Sequence, residues 1–186
     1  MNEPTTPRRA AWAMLAALAV AAGPAQAQTK RDLGDWRVAA GRDGAGCLLT
    51  QQFALNDGTT LVLGLDADGS SRLTLLNPNW SIKPKARLPL TIRLTGARYP
   101  KQSVVGLEAD GQRGFVTAFD PGFPARFAAS NDLRIDRGDV PVVRLALDGS
   151  AAAVAELRRC VAAFKSRPTV RPAAPNVPRD PFATEP

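Results

Sequence analysis

Asp66-Ala67-Asp68-Gly69-Ser70 is the first place where side-chain type and spacing suit chemistry, because acidic residues two apart beside a glycine open an oxygen-rich calcium loop. The complete loop needs a third ligand residue before its glycine and a glutamate at its end, and neither is there. The segment therefore reads as a hairpin turn. Cys47 and Cys160, the only cysteines, come next. A redox or zinc pair calls for a C-x-x-C or for histidines to complete the ligand set, and the chain has neither. The missing imidazole also removes the commonest general base and the triads built on it. Hydrolysis of a glycan by carboxylates alone needs a pair of Asp or Glu, yet beyond residue 27 the glutamates are just Glu108, Glu156 and Glu185, and most aspartates fall in turns. No G-x-G-x-x-G, Walker or G-x-S-x-G signature occurs. The expectation is a non-enzymatic protein with no catalytic residue, no metal site and no cofactor.

Binding is the remaining chemistry, and one stretch concentrates it. In Leu76-Asn77-Pro78-Asn79-Trp80-Ser81-Ile82-Lys83-Pro84-Lys85-Ala86-Arg87, a tryptophan is followed closely by three cations. Trp80 with Lys83, Lys85 and Arg87 suits an interface or an anionic head group, since an indole buries its ring while its N–H stays bonded. In the plainer alternative, Trp80 caps the core and the cations solubilise a connection. Trp36, on a strand near Cys47, reads as core.

The N-terminus gives the compartment in which such binding would occur. Arg8 and Arg9 precede an apolar run from Ala10 to Ala22, and Pro24 leads into Ala25-Gln26-Ala27, an A-x-A cleavage signature. Thirteen apolar residues rise only about 20 Å as a helix, short of the roughly 30 Å of hydrocarbon that a spanning helix crosses. Residues 1–27 therefore read as a secretory signal peptide, with no membrane span and a periplasmic or secreted mature protein. Ala10-Ala11 lacks the bulky residues of a twin-arginine signal. In an exported chain an even cysteine count reads as a structural bridge, here Cys47 to Cys160.

Removing residues 1–27 takes away two arginines and Glu3, which lowers the formal charge of +7 to +6. A basic exported protein is drawn to anionic lipid head groups, lipopolysaccharide or acidic polymers, and its compartment argues against nucleic acid. The expected partner is an envelope or host component of anionic character.

These residues need a scaffold, and 186 residues, 45% hydrophobic and 22% charged, supply one ordinary domain. From Leu33 to Leu147 short apolar segments are cut by turn residues. Leu88, Leu90, Ile92 and Leu94 alternate with Pro89, Thr91, Arg93 and Thr95, which predicts a strand with one buried face. Similar strands are expected over 36–39, 47–53, 60–66, 72–76, 103–107, 115–119 and 142–147. Asn56-Asp57-Gly58, Asp66-Ala67-Asp68-Gly69, Ala109-Asp110-Gly111 and Asp136-Arg137-Gly138-Asp139 supply hairpin turns. Pro124 to Ser130 predicts a turn or short helix. Ser150, as N-cap, opens a firmer helix in which Val154, Leu157, Val161 and Phe164 recur at helical spacing. Four of the prolines beyond residue 165 fall three apart, the period of polyproline II. The expected fold is mainly β: a single antiparallel β-sandwich or barrel-like domain over 28–165 with one C-terminal α-helix packed on it, then a Pro-rich disordered tail over 166–186.

Gly34-Asp35-Trp36-Arg37-Val38, followed by Cys47-Leu48-Leu49-Thr50-Gln51, resembles the G-D-W and C-x-x-[ST]-Q opening of the invasion-associated locus B family, small exported proteins of alphaproteobacteria. Leu147-Asp148-Gly149-Ser150 before an alanine-rich helix is similar to that family's closing segment. The likeness spans about residues 33 to 164. Ala39 and Ala40 stand where many members carry a further cysteine, so a second family bridge is missing. The resemblance implies a periplasmic or surface β protein linked to host-cell entry or envelope maintenance, without catalytic residues to carry over. Beside this binding role stands a periplasmic inhibitor or chaperone-like role, although a basic chain is ill suited to dock on a basic lysozyme.

Overall fold

Residues with one apolar face build the scaffold, and the hairpin turns set its order. The computed structural model describes residues 33–41 and 44–166. The signal segment lies outside them, as does the Pro-rich tail except Ser166, which caps the last helix. Among the described residues nine strands form: β1 Arg37–Ala40, β2 Gly46–Phe53, β3 Thr59–Asp66, β4 Ser71–Asn77, β5 Arg87–Leu94, β6 Ala97–Ala109, β7 Gln112–Phe119, β8 Asp132–Arg137 and β9 Val140–Ala146. Helices α1, Phe123–Ala128, and α2, Ser150–Lys165, complete the domain.

All strand pairs are antiparallel, in the order β1-β2-β3-β4-β7-β6-β5-β8-β9. Two connections therefore leave the meander. Residues 78–86 pass the ends of β7 and β6 to reach β5, and the segment with α1 passes from β7 to β8. Alternation fixes what faces inward: Leu49, Leu61, Leu63, Leu73, Leu75 and Ile92 are fully buried on the concave face. The sheet curls into a half-barrel whose edge strands, β1 and β9, are not paired with each other. Side chains fasten the flanks instead. The Trp36 indole N–H donates to the Asp148 carbonyl at 2.8 Å, and the Asn56 amide donates to the Arg144 carbonyl at 3.1 Å.

The expected fold class is the observed one, and the bridge expected between the cysteines is formed: Cys47 on β2 is bonded to Cys160 on α2. Val154, Leu157 and Val161 are buried and Phe164 partly so, as the helical spacing predicts.

Three local expectations are corrected. Ser150 is not the N-cap: Gly149 holds that position in a left-handed backbone at φ +77°, and the buried Ser150 hydroxyl donates to the Phe127 carbonyl at 3.5 Å, fastening α2 to α1. Strand β6 runs well beyond 103–107 at both ends, and at its start the chain absorbs Pro100 and Lys101, the latter at φ +50°, in a bulge between the Leu90–Gln102 and Ile92–Tyr99 pairs. Strand β8 has no counterpart among the expected strands. Its buried Leu133 and Ile135 alternate with charges that bond on the outer face, Asp132 to Arg134 and Arg144, and Asp136 to Arg93. The Arg134 hydrogen bond, aided by the field of Arg144, holds the Asp132 carboxyl below its ordinary range.

Candidate functional site

The acidic turn at Asp66 to Ser70 is engaged within the chain. The Ser70 amide donates to Asp68 at 2.8 Å and holds its carboxyl below the usual range, while Arg72 pairs with Asp66 at 2.6 Å. These contacts are those of a hairpin turn closing on itself.

The 78–86 connection is built differently, as an arch anchored at both ends. At its start the buried Asn77 side chain donates to Thr59 Oγ1 at 2.8 Å and accepts from the Asn79 amide at 2.8 Å, which turns the chain off β4. At its end Lys85, in a left-handed backbone at φ +67°, donates its amide to the Gly106 carbonyl at 2.8 Å, and the Gly106 amide donates to the Ala86 carbonyl at 2.7 Å. Gly106 is required there. A Cβ at this position would meet the Lys83 carbonyl oxygen at 2.2 Å and Ile82 Cγ1 at 3.1 Å. Gly106→Ala is therefore expected to push the arch off the sheet at a cost of about 1 to 3 kcal/mol, the range of core overpacking. Denaturant unfolding checks the cost, and Trp80 emission moving to longer wavelength checks the displacement. An unchanged midpoint and emission would show that Gly106 does not set the position of the arch.

Under the arch lies a cleft of about 410 Å³. Trp80 forms one wall, its half-buried ring stacked on Phe115 with centroids 5.8 Å apart and planes 6° from parallel. Ile82, Leu88, Leu90 and Val142 supply its large aliphatic side chains. Among the described residues Lys83 and Arg137 contribute its only charges, and no carboxylate belongs to the lining. Trp80 thus covers Phe115 of the core, as the plainer reading expects, and also walls a cavity. Lys83 lies at the cleft; Lys85 and Arg87 are exposed on the same segment but outside its lining, with Arg87 alternating to the face opposite Leu88. Among the described residues, neither these three cations nor Arg137 forms an ion pair, whereas Asp66, Glu108, Asp120, Asp132, Asp136 and Glu156 each pair with an arginine. Phe115, Arg137 and Val142 have no sequence signal as cleft residues. They meet Trp80 only because β7, β8 and β9 reach the same end of the half-barrel.

That end also carries the two most exposed large apolar side chains, Leu55 between β2 and β3 and Val140 at the start of β9. Among the described residues no helix is long and apolar enough to cross a membrane.

No protein-family model matches this sequence, and no curated protein matches it. The crystal structure of invasion associated protein B from Bartonella henselae is similar to this chain with a TM-score of 0.51 and 20% sequence identity, over 71% of this chain and 95% of that one. The relationship is a distant one of fold.

Proposed function

We propose that this chain is a non-enzymatic exported binding protein, distantly related to the invasion-associated locus B family, which engages an anionic component of the envelope or of a host surface through the arch at residues 78–87. The observation that carries the reading is a group of four cations, Lys83, Lys85, Arg87 and Arg137, that have no acidic partner among the described residues and gather beside a half-buried tryptophan at an end that also presents Leu55 and Val140. Exposed apolar side chains interleaved with cations suit an anionic head-group layer. The bridge from Cys47 to Cys160 supports residence in an oxidising compartment, periplasmic or secreted, and the likeness to an invasion associated protein is compatible with an exported, invasion-related role. A binding role is further supported by the cleft lining, which among the described residues includes no carboxylate.

Co-sedimentation with vesicles rich in phosphatidylglycerol tests this. Binding is expected to fall steeply between low and high salt and to be weak on phosphatidylcholine alone, because exposed charge contacts are screened over a Debye length of about 8 Å at physiological ionic strength. Each juxtamembrane cation contributes about 1 kcal/mol, so neutralising Lys83, Lys85 and Arg87 together is expected to weaken binding on the order of a hundredfold. The melting temperature should hardly move, since these are surface positions. Trp80→Ala is expected to lower both. Binding indifferent to salt and to the triple substitution would overturn the assignment.

A further inference from the structure

We infer that the cleft beneath Trp80 holds a single acyl chain bearing an anionic head, with the chain on Leu88, Leu90, Phe115 and Val142 and the head between Lys83 and Arg137. This deepens the preceding reading and rests on it for which end of the molecule faces its ligand.

Three observations converge on that occupant. The lining is mostly apolar side chain, drawn from β5, β7 and β9 and closed above by Trp80 and Ile82, so a chain of methylene groups is the chemistry that gains by entering. A sugar or nucleotide would leave its polar groups unpaired there, since Asn79 and Ser81 supply the only uncharged polar side chains of the lining. The volume, about 410 Å³, stands toward the small end of ligand clefts, which suits one chain and not the paired chains of a diacyl lipid. The two charges at the cleft are both positive and come from different elements, Lys83 from the arch and Arg137 from the end of β8. Neighbouring Asp136 is taken by Arg93, and Asp139 is not part of the lining. A carboxylate or phosphate between Lys83 and Arg137 would meet charges that no described residue neutralises, and an Arg guanidinium favours two-point contact with such groups.

The test titrates the oxidised protein with laurate, lauryl alcohol, acetate and a lysophosphatidylglycerol, following Trp80 emission and calorimetric heat. Laurate or the lysolipid is expected to saturate one site and shift Trp80 emission to shorter wavelength. The tighter of the two shows whether the source is a free fatty acid or a lipid. Lauryl alcohol is expected to bind more weakly and acetate not at all. Val142→Trp, which fills the cleft, should abolish laurate binding, and Arg137→Gln should remove the preference for laurate over the alcohol. Val142→Trp should still sediment with anionic vesicles and melt normally, because all four cations are untouched, while Arg137→Gln should melt normally and lose only the share of vesicle binding that one cation of four supplies. Trp80→Phe should keep the calorimetric signal and lose the fluorescence change. Anionic-vesicle binding without saturable binding of laurate or the lysolipid overturns the cleft assignment and leaves the surface reading intact. Laurate binding without vesicle binding does the reverse. Laurate binding retained at full strength by a folded Val142→Trp protein also overturns it.

Discussion

Cys160→Ala is expected to lower the unfolding free energy by about 2 to 5 kcal/mol. The bond spans 113 residues of sequence, and the chain-entropy account assigns a loop of that length about 4 to 5 kcal/mol of lost denatured-state freedom, of which strain and residual structure usually take a share. Its placement adds a native-state cost. Cys47 is 1% exposed on β2, so the variant leaves a thiol buried against α2, which is otherwise held by the stripe of Val154, Leu157 and Val161 and by the Ser150 bond to α1. Denaturant unfolding of three samples decides it: oxidised wild type, wild type with reductant, and Cys160→Ala with reductant. The last two should coincide well below the first. Thiol titration of the oxidised wild type in denaturant should find no free thiol, and two would refute the bridge.

Trp36→Ala is expected to cost about 3 to 5 kcal/mol, the range for deleting a large buried aromatic. The ring is 3% exposed and sits edge-on to both Phe53 and Phe127, with centroids 6.1 and 5.8 Å away. Truncation therefore opens a void between β2, α1 and the start of α2. The indole N–H has a separate role, because its bond to the Asp148 carbonyl joins the flank before β1 to the chain after β9. Trp36→Phe isolates that bond, since most of the ring contact survives and the hydrogen bond does not. The expected loss is about 1 kcal/mol plus a small packing term. Equal losses for the two variants would transfer the whole effect to the hydrogen bond. A loss under about 1 kcal/mol for Trp36→Ala would mean that the core closes without it.

What the sequence discloses follows the range of the interactions involved. Turns are local, so Asp57-Gly58 and Asp110-Gly111, all at positive φ, are readable as hairpin turns, and the alternation from Leu88 to Leu94 is readable as a strand. The cysteine pair is readable because only one pairing exists. Strand β8 escapes because just two apolar residues, Leu133 and Ile135, carry it among charges. Pro100 conceals the length of β6, since a proline in an apolar run normally marks a strand end. The candidate site is half legible: Trp80 and Lys83 stand out by composition. Phe115, Arg137 and Val142 do not, because their proximity depends on β7 lying beside β4 and β5 beside β8, pairings that no local pattern encodes.

The arch has a further consequence for how the molecule assembles. Strands β1 to β4, β5 to β7 and β8 to β9 are each neighbours in sequence and in space, so their hairpins form at small loop-closure cost. The seams β4 to β7 and β5 to β8 are the slow, non-local steps, and the arch is the tether across the first of them. No single hairpin contains the cleft: Trp80 belongs to the tether, Phe115 and Leu88 to the second unit, Val142 to the third. The cavity therefore comes into being only when both seams have closed. A ligand held there at a hundred times its dissociation constant would add about 2.7 kcal/mol to the closed state. Occupancy and completion of folding are then one linked equilibrium, and a chain with either seam open has no cleft to fill.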